Sequence, residues 1–211
     1  MLVIGLTGSM GMGKSTAAAR FAEQGIPVFD ADGEVHRLYE GRAVAPIKEA
    51  FPGVIRDGQV DRGLLSVRLM DNPNGLAVLE SIIHPLVRES REEFLEHHAR
   101  AGAEMAVLEV PLLFEVGADR EVDVTIVVTA PPDVQRARVL GRKGMTQEKL
   151  DALLANQMPD DEKRRRADFV VDTNRPVEET AAEIDRLIES LRGREGRVFR
   201  PAAGGCAGGQ D

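Results

Sequence analysis

The chain is short of cysteine, of positive charge and of long apolar runs, and each shortage narrows what it can do. Cys206 is the single cysteine among 211 residues, so no intrachain disulfide can form and a reducing compartment is expected. Lys and Arg number 27 against 35 Asp and Glu, a net charge of -8, which excludes the basic balance of a non-specific nucleic-acid or membrane-surface binder. An anionic small substrate remains compatible if cations gather locally, because a phosphate site responds to nearby charge more than to the total. No stretch reaches the roughly 18 apolar residues of a membrane span, and no basic region precedes Leu2-Val3-Ile4. A soluble cytoplasmic protein without a secretory leader is therefore expected. There is no internal repeat. The 43% hydrophobic content suffices for one substantial core with a small inserted subdomain, and a monomer is expected.

Short apolar runs at 2–7, 28–29, 106–110, 124–129 and 169–171 suit buried parallel strands. Helical patterns lie between them, at Ser15 to Glu23 before Gly25 and at Pro132 to Arg142 before Gly144. Such alternation predicts a five-stranded parallel sheet covered by helices in three α/β/α layers. About 70 residues separate the second strand from the third, too many for a simple crossover. The gap reads as helices at 43–50, 62–70, 76–83 and 85–101, with Asp57-Gly58 at a tight turn and Pro85 interrupting the last pair. The expected division is a core of 1–32 and 103–192, a helical acceptor subdomain of 33–102 and a lid at about 138–166. Val177, Ala181, Ile184, Leu187, Ile188 and Leu191 have the spacing of a final amphipathic helix, and the Gly-rich stretch of 193–211 reads as a disordered tail.

Gly8-Ser9-Met10-Gly11-Met12-Gly13-Lys14-Ser15 has the P-loop spacing, between a strand and a helix as that motif requires. Glycines let backbone amides turn inward around phosphates, and the helix that continues through Thr16 presents its N-terminal amides to the same anion. Lys14 is expected on the β- and γ-phosphates of ATP, and the Ser15 hydroxyl on Mg²⁺. A dinucleotide fold is excluded, since Thr16 stands where Gly11-Met12-Gly13 would need a further glycine. A GTPase switch lacks its guanine-reading segment, because Asn-Lys-x-Asp occurs nowhere in the chain.

Asp30 and Asp32 follow the second strand, where loops at the carboxyl ends of parallel strands face bound phosphates. On an extended segment both carboxylates point to one side, one to accept an alcohol proton and the other to orient metal or water. Asp32 also suits the N-cap of a helix starting at Gly33. Arg138 and Arg142 lie four apart near the end of a helix, and guanidinium groups so placed stabilise a transferring phosphoryl group. Arg136 and Lys143 read as a solvated face. The run Lys163 to Arg166 reads either as a surface face or as the returning side of the lid.

Taken together, the sequence resembles the dephospho-CoA kinase family over about residues 2–192. The resemblance is carried by Ile4-Gly5-Leu6-Thr7-Gly8, Phe29-Asp30-Ala31-Asp32, Ile83-His84-Pro85, Val110-Pro111-Leu112-Leu113-Phe114-Glu115 and the Arg138/Arg142 pair. It implies a P-loop NTPase fold with an acceptor-binding insertion and a small lid, Mg·ATP as phosphoryl donor and dephospho-CoA as acceptor. It further implies Lys14, Asp32 and Arg142 as catalytic, with Asp32 acting on the 3′-hydroxyl, Arg142 and Arg138 in the lid over ATP, and Asn174 beside adenine. His84 stands between a substrate-side and a structural role, and Glu109 has the Walker B place. Where family loops commonly read Gly-Gly-Ile-Gly this one has Gly8-Ser9-Met10-Gly11, which preserves the spacing. Another small-metabolite or nucleoside monophosphate kinase of the same fold is the alternative.

Overall fold

The computed structural model describes residues 1–199, which divide into two compact units. One comprises Met1–Phe29 with the chain from Leu95 onward, and the other Asp30–Phe94.

In the first unit β1 (Leu2–Thr7) leads through the glycine loop into α1 (Lys14–Glu23), and β2 (Val28–Asp30) ends where the second unit begins. The chain returns as β5 (Met105–Glu109), β6 (Val124–Thr129), α6 (Pro132–Leu140), α7 (Gln147–Ala155), α8 (Asp160–Arg166), β7 (Phe169–Asp172) and α9 (Val177–Leu191). The five strands form one sheet in the order β2-β5-β1-β6-β7. β1 pairs in parallel with both β5 and β6, and β6 with β7, with Leu6 opposite both Glu109 and Ile126. Parallel pairing brings the carboxyl ends of these strands to a single edge, where the glycine loop also lies. Every residue of β1 and β6 is buried, as a strand covered on both faces requires. One core joins Leu2, Ile4, Leu6, Val124, Ile126 and Val128 of the sheet to Ala17 and Phe21 of α1 and Ile184, Ile188 and Leu191 of α9. The expected strands and α1 are found within a residue or two. The expected apolar face of α9 begins later, since Val177 is 64% exposed and burial starts at Thr180.

The second unit contains α2 (Ala31–Tyr39), α3 (Val44–Ala50), β3 (Ile55–Arg56), β4 (Gln59–Val60), α4 (Arg62–Met70) and most of α5 (Gly75–Arg100). Asp57 and Gly58 make the turn between β3 and β4, both at positive φ (48° and 80°), as a tight antiparallel hairpin demands. α4 starts at Asp61, whose carboxylate accepts the Leu64 N–H at 3.0 Å. Its apolar centre comprises Leu38, Ile47, Phe51, Val54, Leu65, Leu79 and Ile83.

Two sequence expectations are corrected here. Pro85 does not divide the last helical stretch, because α5 is continuous from Gly75 to Arg100. An interior proline forfeits one helical hydrogen bond at a cost of about 3 kcal/mol. Ile82, Ile83, Leu86 and Val87 on either side all pack into the apolar centre, and their burial offsets that loss. The second correction concerns 193–199, which were expected to be disordered: the Arg197 and Val198 amides donate to Asp123 Oδ1 at 2.6 and 3.0 Å. Residues 200–211 of the expected tail lie outside the described residues.

Candidate active site

At the carboxyl edge of β1 the glycine loop turns back on itself and enters α1 with Gly13 as the left-handed N-cap, at φ 87°. Gly11 is also left-handed, at φ 80°, and a Cβ there would lie 2.6 Å from Val139 Cγ2. A Cβ on Gly13 would come within 3.1 Å of Thr173. Glycine is thus required at both positions for backbone conformation and for room. Gly11, Gly13, Lys14, Ser15, Thr16, Arg138, Arg142, Thr173, Arg175, Val177 and Thr180 line a cleft of about 370 Å³. Four cationic side chains face this cleft in a chain of net charge -8, so the positive charge is gathered locally.

Three of the loop's carbonyls are received by side chains from outside it. Gln135 Nε2 donates to Met10 O at 2.8 Å, Arg138 to Gly11 O at 3.3 Å, and Thr173 Oγ1 to Met12 O at 2.9 Å. The Met10 N–H is accepted by Gln157 Oε1 at 3.4 Å. Lys14 Nζ donates to the Gly8 carbonyl at 3.0 Å, which holds the ammonium across the loop. Met12 is buried, and its Sδ accepts the Ala130 N–H at 3.1 Å. Met12 and the buried Ser9 line a neighbouring cavity of about 790 Å³ rather than the cleft. Left-handed Gly11 and Gly13 leading into the N-terminus of α1 are elements that bind anions in loops of this kind. Ser15 is an exposed hydroxyl in the cleft, a donor fit for a hard cation accompanying phosphate.

The two arginines of the cleft, Arg138 and Arg142, differ. Arg138 is bonded to protein acceptors, donating to Thr173 O at 2.7 Å and Thr173 Oγ1 at 3.0 Å as well as to Gly11 O. Arg142 lies beyond the end of α6, exposed in the turn that follows, and faces the same cleft. Asn174 is exposed, with its backbone N–H donating to Asp172 Oδ1 at 2.8 Å, and the cleft is lined by its neighbours Thr173 and Arg175. Glu109 ends β5 beside Leu6 and is half-buried.

In the second unit Asp30, not Asp32, caps the helix: α2 begins at Ala31, and Asp30 Oδ1 accepts the Gly33 N–H at 3.0 Å. The segment is therefore helical from Ala31, and strand alternation does not align the two carboxylates. Asp32 is exposed in the first turn of α2 and lines a cavity of about 360 Å³ with Val35, His36, Tyr39, Arg62, Leu65, Ser66, Leu69 and Leu79. His36 Nδ1 lies 2.8 Å from Asp32 O and its Nε2 2.6 Å from Arg62. His84 is exposed on α5, so the histidine at this cavity is His36.

Behind the loop, Lys163 is fully buried and lies 2.8 Å from Glu115 Oε1, so the first residue of the Lys163 to Arg166 run belongs to no surface face. Glu115 Oε1 also accepts the Met158 N–H at 2.8 Å. Burial alone would raise the Glu115 carboxyl, yet Lys163 and the Met158 N–H hold it below the ordinary value. Sequence reading missed Gln135, Gln157, Thr173 and Arg175. Each is a polar residue in a helix or in a connection between elements, and no spacing distinguishes it from a solvated one.

A parallel sheet carrying this glycine loop beside a cationic cleft defines a P-loop phosphotransferase, whose fold recurs in kinases of small metabolites. The model of the dephospho-CoA kinase family matches residues 2–179, and the chain belongs to that family. A dephospho-CoA kinase of Mesorhizobium japonicum is 55% identical over 196 residues, covering 93% of this chain and all of the relative. A solved structure from Thermus thermophilus, 34% identical, superposes with a TM-score of 0.78 over 91% of this chain and 98% of its own. A dephospho-CoA kinase structure from Campylobacter jejuni shares the fold at 24% identity, with a TM-score of 0.69 over 90% of this chain and 96% of its own. Among the described residues no helix is long and apolar enough to cross a membrane.

Proposed function

We propose that the protein transfers the γ-phosphoryl group of ATP to the ribose 3′-hydroxyl of dephospho-CoA, giving coenzyme A and ADP. The observation that carries this reading is the glycine cradle with Lys14, Arg138 and Arg142 on one cleft, in a chain whose family match spans residues 2–179. The loop amides and Lys14 hold the β- and γ-phosphates, and Arg142 spreads the charge that develops on the transferring group. Mg²⁺ bound with the nucleotide, with the Ser15 hydroxyl as a ligand, would neutralise phosphate charge. Asp32 accepts the proton of the attacking hydroxyl, and the cavity beside it is the acceptor's place. Its apolar wall of Val35, Leu65, Leu69 and Leu79 suits a hydrophobic portion of the acceptor, and Arg62 its anionic portion. Asn174 would contact adenine from the turn after β7.

A coupled ADP-release assay with an acceptor panel tests the reading. Dephospho-CoA should support turnover far above shikimate, gluconate or nucleoside monophosphates, and a stronger response to any of those would overturn it.

A further inference from the structure

An anion-binding loop works only if its N–H groups face the ligand, and this forces its carbonyls to face away. Carbonyls so turned need donors where they are withdrawn from water, as the buried bond at Met12 O and the part-buried one at Met10 O are. Here three consecutive carbonyls, of Met10, Gly11 and Met12, each meet a side-chain donor at 2.8, 3.3 and 2.9 Å. The donors come from two elements outside the loop: Gln135 and Arg138 stand on α6, and Thr173 follows β7. Gln135 and Thr173 are buried, at 6% and 7% exposure, so water does not readily replace them. Thr173 is the centre of the set. Its hydroxyl lies 2.9 Å from Met12 O and 3.1 Å from Thr129 O, and it accepts from Arg138 at 3.0 Å. Its methyl and hydroxyl lie against the Cα of Gly13, where a Cβ would come within 3.1 Å.

We infer that Gln135, Arg138 and Thr173 are positioning residues that hold the P-loop in its phosphate-binding form, and that Arg138 acts chiefly as a brace of the loop. Their effect reaches the nucleotide through the loop backbone, whose amides are preorganised when the three carbonyls are tied down. The inference rests on the reading of this cleft as the ATP site.

The test is equilibrium binding of ATP, inorganic tripolyphosphate and adenosine to the full chain, with no acceptor present. Thr173→Val removes the hydroxyl at nearly constant volume, and with it the contacts to Met12 O, Thr129 O and Arg138, and should weaken ATP and tripolyphosphate at least about tenfold each. Adenosine affinity should stay within about twofold. Thr173→Ser restores the hydroxyl and should return tripolyphosphate to near its original affinity. Gln135→Met should repeat the effect on a second carbonyl, and it carries the test if Thr173→Val does not fold. Unchanged tripolyphosphate affinity in the folded variants overturns the inference, as does an equal loss for adenosine, which would mark a general structural defect. Failure of the unaltered protein to bind tripolyphosphate would instead sink the nucleotide-site reading, and the choice of acceptor bears on none of these outcomes.

Discussion

The ammonium of Lys163 meets the carboxylate of Glu115 at 2.8 Å, with the lysine wholly buried, and so joins α8 to the segment that follows β5. Lys163 Nζ also approaches the Pro111 carbonyl at 3.4 Å, which accepts from Thr7 at the end of β1 at 3.1 Å. α8 is thereby tied to the strand that leads into the glycine loop. Removing one partner of a buried pair leaves an uncompensated charge. Glu115→Ala is expected to cost about 3–5 kcal/mol, and the Glu115→Leu/Lys163→Met double variant clearly less. Urea unfolding of the three proteins measures this, and a double variant as unstable as the single one would contradict it.

The same pair has a pH signature. The folded-state Glu115 carboxyl is held below its ordinary value, so its contribution is complete above the unfolded-state pKa and is lost as pH falls through the folded one. Urea midpoints of the unaltered protein should therefore decline below about pH 4.5 more steeply than those of Glu115→Gln. Parallel curves would show that Glu115 does not couple to folding.

Asp123 joins β1 to the segment that follows α9, accepting from Val3 at 2.8 Å and from the Arg197 and Val198 amides at 2.6 and 3.0 Å. Asp123→Ala strands three backbone donors, two of which can turn to water. A loss of about 2 kcal/mol is expected, with a Tm lower by about 4–8 °C. Truncation after Arg192 should lower Tm too, but add little once Asp123 is gone. Additive losses in calorimetry would argue against a shared anchor.

Much of this could be read from the sequence because it is local. Strands buried on both faces appear as unbroken apolar runs, and the glycine loop declares itself by spacing. What was not legible depends on partners remote in the chain. Pro85 reads as a break unless one knows that Ile83 and Val87 are drawn into an apolar centre. Lys163 in a run of arginines reads either as surface or as the returning side of a lid until Glu115, 48 positions earlier, is found beside it. Asp30 and Asp32 read as extended neighbours, whereas the cap bond from Asp30 to Gly33 starts the helix two residues sooner and leaves Asp32 exposed in its first turn. Gln135 and Thr173 carry no signal in the sequence, because their function lies in which carbonyl they meet.

Lys14→Ala is expected to lower kcat by at least about 10²-fold, the scale of losing one group that stabilises transition-state charge. Steady-state turnover and ATP binding measured together check it; turnover near that of the unaltered enzyme would remove Lys14 from the phosphate site.

Transfer to one particular hydroxyl is tested by pairing Asp32→Asn with product analysis. Phosphorus NMR of ATP, dephospho-CoA and the unaltered enzyme should show a new phosphomonoester at the ribose 3′ position, formed as ADP appears. In Asp32→Asn the same signal should grow about 10²- to 10⁴-fold more slowly while ATP affinity is kept. Absence of that signal, phosphate appearing as free orthophosphate, or undiminished growth in the Asp32 variant would contradict the account.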